Sequence, residues 1–254
     1  VLQLEHAYAL VAGAERAGRS VILQISENCV RYHGSLAPLA LATLAVARAA
    51  SIPVAVHLDH VESPDLVAEG VMLGFGSVMF DASRLAYADN VVATREIVDL
   101  CHSRGVFVEA ELGEVGGKDG VHAPGARTDP VEAAEFVRAT GVDALAVAVG
   151  TSHAMLTRDA SVDFDLIRSL KSSVDVPLVL HGSSGVADDH LTAAVAAGMT
   201  KVNISTHLNQ VFTAEVRAAL DANPTLVDTR KYLAPARDAV TAEVARLLGV
   251  LDPR

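Results

Sequence analysis

Short apolar runs that alternate with helical segments constrain the fold more than any other feature of this sequence. Apolar runs at 21–25, 54–58, 77–80, 106–111, 144–149, 178–180 and 201–204 are typical of strands buried in a parallel sheet. Segments with helical periodicity lie between them, at 38–50, 64–73, 89–104, 130–140, 163–170 and 188–197. Since parallel strands need crossover connections of this kind, the alternation predicts an α/β fold.

The same alternation predicts a single domain over residues 1–254, a (β/α)8 TIM barrel. A helix at 1–18 stands before the first apolar run, so we expect the first barrel strand to lie upstream of Val1. A further helical period through Val240, Val244 and Leu247 predicts an extra C-terminal helix docked outside the barrel.

Composition and charge narrow the functional classes. The net charge of −11 opposes non-specific binding to nucleic acid. No apolar run approaches the roughly 20 residues that a membrane span needs, and the N-terminal residues lack the basic head and cleavage site of a signal peptide. Cys29 and Cys101 are too few for a disulfide framework. We therefore expect a cytoplasmic protein that binds neither nucleic acid nor a membrane.

Three predicted strands run into a histidine, giving His60, His153 and His181. In barrels of this class, the carboxyl ends of the strands carry the chemistry. One histidine alone is usually an ordinary core or surface residue, but three at one edge fit catalytic zinc, which commonly takes three protein ligands. Strand alternation puts His57 and Asp59 on one face and His60 on the other, so His60 is predicted to lie in a loop.

Two acids alternate along the fourth predicted strand, Glu109 and Glu111, and so face the same side. Acids aimed into a barrel interior need a partner. Glu111 and Asp81 are candidates for orienting a ligating histidine or for binding a second metal, and buried salt bridges are the alternative. The glycine-rich segment 113–120 is a candidate lid that could bring Asp119 or Glu114 to a reacting carbon.

Two short sequences that follow the last predicted strands indicate an anion-binding site. HGSSG at 181–185 precedes a predicted helix, and NIST at 203–206 follows the last apolar run. Backbone N–H groups and hydroxyls after the last two strands are where barrels often hold phosphate. Such donors act at short range, so the net negative charge of the chain does not prevent binding. Ordinary turns with helix caps are the alternative.

Read in order, the motifs HLDH, VEAELG followed by GG, GTSHAM, LHGSSG and VNIST resemble those of the class II, metal-dependent fructose- and tagatose-bisphosphate aldolase family. The resemblance spans nearly the whole chain. It implies a barrel-shaped lyase with one catalytic Zn2+ per subunit, which reversibly cleaves a phosphorylated ketose to dihydroxyacetone phosphate and an aldehyde through a metal-stabilised enediolate. It also implies a monovalent cation, Na+ or K+, near the phosphate, and a homodimer or homotetramer.

The resemblance further implies roles for individual residues. His60, His153 and His181 match the zinc ligands. Asp59 matches the acid that exchanges a proton with the C4 hydroxyl or the aldehyde oxygen. The positions that match substrate- and phosphate-binding residues are Ser26, Gly182, Ser184, Asn203, Ser205 and Thr206.

Two positions depart from the family pattern. Asp119 is the candidate for the acid that protonates carbon, where the family usually has a longer Glu. Ala154 stands where a glycine usually follows the ligating histidine, and its methyl group beside the phosphate site is expected to tighten the site or alter substrate choice.

Two other functions stay open at this point. A Schiff-base aldolase needs a lysine deep in the barrel. Lys118 and Lys231 lie in loop-like sequence, Lys171 ends a predicted helix, and Lys201 begins its strand, at the end opposite the expected site. The second alternative is a non-catalytic sugar-phosphate-binding or partner barrel, which the presence of Asp59 beside the histidine set disfavours.

Overall fold

A curled parallel sheet forms the centre of the molecule. In the computed structural model, which describes residues 1–112, 127–153 and 155–252, the sheet has seven strands, each paired with the next along the chain. Residues of both edge strands line one cavity, so the sheet curls towards a barrel. The strands are β1 (Val21–Ser26), β2 (Val54–Val61), β3 (Ser77–Phe80), β4 (Phe107–Leu112), β5 (Ala144–Val147), β6 (Leu178–Leu180) and β7 (Met199–Val202).

Helices connect the strands and cover the outside of the sheet. None of the helices in the described ranges is both long enough and apolar enough to cross a membrane. The described part of the chain contains α1 (Leu4–Ala17), α2 (Glu27–His33), α3 (Ala37–Ala49), α4 (Pro64–Leu73), α5 (Tyr87–His102), α6 (Pro130–Thr140), α7 (Phe164–Ser173), α8 (Asp188–Ala197), α9 (Thr206–Ala222) and α10 (Thr229–Val250).

The observed elements confirm a parallel α/β fold and correct several details. Within the described residues no pairing joins β7 to β1, so the closed (β/α)8 barrel and its additional first strand stay predictions. Strand β7 begins at Met199, earlier than predicted, because the chain enters the sheet directly after Gly198 ends α8. The sequence does not predict α2 or α9. Helix α9 does carry a signal in the sequence, since Leu208, Val211, Phe212 and Val216 recur at helical spacing, although Phe212 is its one buried residue.

The two faces of the sheet differ in chemistry. On the outer face, Val78 and Val108 lie side by side and pack into the main core with the helices. On the inner face, Gln24, His57 and Ser77 lie side by side in the register of β1, β2 and β3. Because polar side chains in such a place need partners, the inner face is where a functional site is expected.

The C-terminal helix α10 lies outside the sheet, as the sequence predicts, and packs against α1 and α9. The contact between α1 and α10 is close at Gly13. A Cβ atom built on Gly13 would lie 2.7 Å from the carbonyl oxygen of Thr241 and 2.7 Å from the Val244 Cβ. Glycine at this point therefore lets the two helix backbones approach each other.

Candidate metal centre

His60 has an unusual backbone conformation. It lies inside β2 with a φ of 47°, so the prediction that it lies in a loop is wrong. In the described ranges it is the only non-glycine residue with a positive φ. The register of β2 against β3 shifts between Leu58 and Val61, which marks a β-bulge. The bulge directs the His60 side chain into the same cavity as Asp59, which regular strand alternation would not allow.

Three imidazoles converge at the carboxyl edge of the sheet. The ring centroids of His60 and His181 are 4.7 Å apart, those of His60 and His153 are 5.2 Å apart, and those of His153 and His181 are 5.7 Å apart. Each ring offers one nitrogen, and these atoms lie within 4.8 Å of one another. The structure thus brings the predicted metal ligands together.

Carboxylates contact the outward nitrogens of two of these rings. Asp81 Oδ2 lies 2.8 Å from His60 Nδ1, and Glu109 Oε1 lies 2.9 Å from His181 Nε2. Metal-binding histidines usually donate a hydrogen bond from their second ring N–H to a carboxylate or another acceptor. Here the two carboxylates leave His60 Nε2 and His181 Nδ1 facing each other, 2.9 Å apart. Glu111 Oε2 lies 3.9 Å from His60 Nδ1, and Glu111, Asp81 and His60 form a second group with ligand atoms within 4.8 Å.

Glu109 also binds Lys201, whose predicted location is wrong. Lys201 Nζ lies 2.7 Å from Glu109 Oε2, on the inner face of the sheet, and only 14% of the lysine side chain is exposed. The long lysine side chain reaches Glu109, the carboxylate that contacts His181. Burial alone would raise the pKa of Glu109, but the Lys201 ammonium and the hydrogen bond from His181 hold it well below its ordinary value. Glu109 is therefore an ionised link between the lysine and the imidazole.

Asp59 and His57 occupy different environments although they share a face of β2. Gln24 Nε2 donates a hydrogen bond of 2.8 Å to Asp59 Oδ1, and Asp59 lines the cavity. His57 is 2% exposed, and its Nδ1 lies 2.7 Å from Ser77 Oγ. Burial and the nearby Lys201 ammonium lower the pKa of His57 to about 4, so its ring is neutral near pH 7.

The loops after β6 and β7 lie against each other beside the histidines. Gly182 has a φ of 68° and precedes a 3-10 turn at Ser183–Gly185. The Ser205 backbone N–H donates to Ser184 Oγ at 3.2 Å. Helix α9 begins at the next residue, Thr206, so the free N–H groups of its first turn lie at the cavity. Hydroxyls and backbone donors of this kind suit an anion such as phosphate.

A single cavity of about 450 Å³ collects most of the predicted site residues. Asp81 and Glu111 are buried and contact His60 from behind. Asp119, Glu114, Lys118 and Ala154 lie outside the described residues. The cavity-lining residues among those predicted are Ser26, Asp59, His60, His153, His181, Gly182, Ser184, Asn203, Ser205 and Thr206.

Sequence reasoning did not assign roles to Gln24, Glu109 or Lys201 in this centre. Signals for the first two were present, because Gln24 alternates with Ser26 along β1 and Glu109 alternates with Glu111 along β4. No comparable signal exists for Lys201, since its contact with Glu109 joins two strands that are far apart in the sequence.

Comparisons with known proteins identify the family of the chain. The sequence model of the family described as class II fructose-bisphosphate aldolase matches residues 1–253. The chain belongs to this family. A fructose-bisphosphate aldolase of Geobacillus stearothermophilus is 38% identical over 245 residues, which are 95% of this chain and 85% of that protein. A relative from Bacillus subtilis (strain 168) is 39% identical over 246 residues, 95% of this chain and 86% of its own.

Solved structures of aldolases have the same fold as this class II chain. The crystal structure of the YdjI aldolase from Escherichia coli K12 matches with a TM-score of 0.85 and 31% identity, over 99% of this chain and 89% of that one. Class II aldolases are metal-dependent lyases that act on small phosphorylated sugars, and the three clustered histidines of this member could hold a metal ion.

Proposed function

We propose that this chain is a zinc-dependent aldolase that reversibly cleaves a phosphorylated ketose of the fructose- or tagatose-1,6-bisphosphate type to dihydroxyacetone phosphate and an aldehyde. The convergence of His60, His153 and His181 carries the proposal, because their ring nitrogens lie within 4.8 Å of one another in a class II aldolase. Imidazoles suit zinc better than Mg2+ or Ca2+, which prefer oxygen ligands. Carboxylates on the outward nitrogens of two rings support the same assignment.

The proposed reaction divides the chemistry between the metal ion and two acids. Zinc held by the three histidines supplies a Lewis acid that stabilises negative charge on the substrate oxygens as the C3–C4 bond breaks. Asp59 accepts the proton of the C4 hydroxyl during cleavage and returns it to the aldehyde oxygen during synthesis, with its carboxylate fixed by Gln24. Asp119 is the proposed donor of the proton that C3 receives after cleavage.

We assign substrate binding to the polar groups around the metal centre. Ser26 lines the cavity on the side of β1 and is proposed to contact the substrate near its carbonyl group. The two adjoining loops and the start of α9 supply hydroxyl and N–H donors for a phosphate, with Na+ or K+ as a proposed companion ion. The residues proposed for this phosphate site are Gly182, Ser184, Asn203, Ser205 and Thr206.

The ion pair of Lys201 disfavours a Schiff-base mechanism. A lysine that forms a Schiff base must present a neutral amine to the substrate carbonyl. Lys201 is the lysine nearest the centre among the described residues, and its Nζ is engaged by the ionised Glu109 carboxylate at 2.7 Å. The Lys201 Nζ is therefore directed at a carboxylate and not at the cavity.

Removal of metal tests the proposed mechanism. We expect a chelator to abolish cleavage and added zinc to restore it. His181→Ala should lose bound metal and activity together, measured by metal analysis and by coupled assay of dihydroxyacetone phosphate release. His102→Ala is the control, since His102 lies on the surface of α5 and pairs with Asp143. Cleavage that survives complete removal of divalent metal would exclude the zinc mechanism.

A substrate panel separates catalysis from simple binding. We expect the zinc-loaded protein to cleave at least one of the fructose and tagatose bisphosphates, and the ratio of the two values of kcat/KM identifies the preferred C4 epimer. Binding of a ketose phosphate without cleavage, in zinc-loaded protein, would instead favour a non-catalytic sugar-phosphate-binding role.

A further inference from the structure

Glu27 is a buried acid that the proposed reaction does not use. It is the first residue after β1 and is only 9% exposed. Its Oε2 accepts a hydrogen bond of 2.7 Å from the backbone N–H of Glu62, and the Ser63 N–H lies 3.4 Å from the same oxygen. Its Oε1 pairs with Arg31 on the next turn of α2. The carboxylate thus joins the end of β1 to the chain that leaves β2.

The segment fixed by Glu27 begins two residues after His60. A left-handed conformation is unfavourable for a residue with a side chain, and such a conformation persists only where the surroundings hold it on several sides. On the side of β3, the Asp81 N–H donates to the Val61 carbonyl at 2.8 Å, and the Asp81 carboxylate contacts the His60 ring. Those contacts fix the bulge on one side.

Glu27 supplies the contact on the opposite side of the bulge. The regular pairing of β1 with β2 ends at Ser26 and Asp59. Beyond that pair, the side-chain carboxylate of Glu27 receives the Glu62 N–H in place of a backbone carbonyl. A hydrogen bond to a carboxylate is stronger than one to a neutral acceptor, and the Glu27 carboxylate is itself largely buried.

We propose that Glu27 is a positioning residue for the metal centre, which fixes the chain after His60 so that the imidazole stays directed at His153 and His181. This inference rests on the proposed zinc function. Without the carboxylate, the backbone at 60–62 can relax towards regular strand geometry, which turns the His60 ring away from the cluster. Glu27 then governs zinc affinity although it contacts neither the metal ligands nor the cavity.

The test compares zinc affinities of full-length variants by competition with a chromophoric chelator. We expect Glu27→Ala to weaken zinc binding about 10-fold or more, the scale seen when outer partners of metal ligands are removed. The zinc affinity of Glu27→Gln should lie between those of Glu27→Ala and the wild type, because a neutral amide oxygen still accepts the hydrogen bond from the N–H but more weakly.

Asp143→Ala is the matched control. Asp143 Oδ2 also accepts a backbone N–H at 2.7 Å, from Val108, but it lies at the start of β5, at the opposite end of the sheet. Like Glu27→Ala, Asp143→Ala should lower the melting temperature of the metal-free protein, because each removes an acceptor of a backbone N–H. The zinc affinity of Asp143→Ala should stay within about twofold of the wild type, since the Val108 N–H lies at the amino end of β4, away from the edge where the three histidines converge.

The measured zinc affinities test the positioning role of Glu27 separately from the proposed zinc function. Zinc affinities of both Glu27 variants that equal the affinity of Asp143→Ala would overturn the positioning role while leaving the zinc function intact. If Glu27→Ala does not fold, Glu27→Gln alone decides by the same comparison. A wild-type protein that binds no zinc would overturn the proposed function, and the positioning role with it.

Discussion

Three polar residues of one strand meet three different environments in this protein. His57 is buried and neutral, Asp59 faces the cavity with its carboxylate held by Gln24, and His60 lies on a bulge. Burial opposes a charge on His60, but the surrounding carboxylates, Asp59 first among them, raise the pKa of His60 to about 9 in the metal-free chain. These environments support the proposed roles of Asp59 as proton carrier and His60 as metal ligand.

Substitution of Asp59 tests the proton-transfer role. We expect Asp59→Ala to keep its zinc and to lose cleavage activity by about 100- to 10,000-fold, which is the usual contribution of a positioned acid or base. Metal analysis and kcat measured on the same preparation check both parts. Asp59→Asn keeps the shape and the neighbouring contacts, so it should be equally impaired. Full activity in either variant would refute the proton role.

The sequence predicts which residues meet in the site better than how they meet. Strand ends identify the three histidines and the acid beside His60, because polar residues at the carboxyl ends of buried strands converge in a parallel fold. The bulge at His60 escapes the sequence, because a left-handed residue that costs about 1–2 kcal/mol is held by contacts from other strands. Lys201 escapes for a similar reason, since a long side chain can reach a distant layer.

At the level of elements, the close contact between α1 and α10 depends on a glycine, Gly13. We expect Gly13→Ala to destabilise the protein by about 1–3 kcal/mol, because the new methyl group would meet the Thr241 carbonyl and Val244 at 2.7 Å. The loss outweighs the better helix propensity of alanine. Calorimetric melting of the wild type and of Gly13→Ala measures this loss of stability.

Gly249→Ala provides the matched control within α10. A Cβ at Gly249 meets no described atom within 4 Å, so only helix propensity acts, and we expect a gain of about 0.5–1 kcal/mol. Equal effects at the two glycines would show that helix propensity alone, and not the close approach of α1 to α10, sets the stability.

Most of the strands and helices are predicted from apolar patterns in the sequence. Strands β1 to β6 and helices α1 and α10 follow apolar patterns that local burial imposes. Helix α9 also has apolar residues at helical spacing, but it packs mainly against α10, and Phe212 is its one buried residue. The pairing of α1 with α10 is also beyond periodicity, because it joins the two ends of the chain.

Over the whole molecule, an ionic network ties the C-terminal helices to the loops around the cavity. Glu243 of α10 accepts from His207 of α9 at 2.6 Å and from Arg246 at 2.7 Å. Arg246 also pairs with Asp188 of α8, which pairs in turn with Arg158 at 2.6 Å. Hydrogen bonds from Arg246 are the main cause that lowers the pKa of both Asp188 and Glu243 below their ordinary values.

Acid should weaken this network. A lowered pKa in the folded state means that the carboxylates stabilise the fold above their ordinary values of 3.8 and 4.5, and that this contribution is lost as the pH falls below those values. Partly exposed pairs contribute about 0.2–1 kcal/mol each. We therefore expect Arg246→Met to lower the melting temperature by a few degrees at pH 7, and the difference from the wild type to shrink towards pH 3.

Calorimetry between pH 7 and pH 3 checks this expectation. Arg168→Met is the control, because the one ion pair of Arg168 within the described part of the chain is with the exposed Asp165 on its own helix. It should change the melting temperature little at any pH. A difference between the wild type and Arg246→Met that does not vary with pH would mean that Arg246 acts through packing alone.

The fit of Gly182 against the preceding loop limits how this site can be redesigned. A Cβ at Gly182 would fall 2.6 Å from the carbonyl oxygen of Ser152, so the loop that carries His153 and the loop that carries His181 meet backbone to backbone. A side chain at 182 would push the two loops apart. If new substrate loops are grafted onto this scaffold, both loops must therefore be exchanged together, with a glycine kept where their backbones meet.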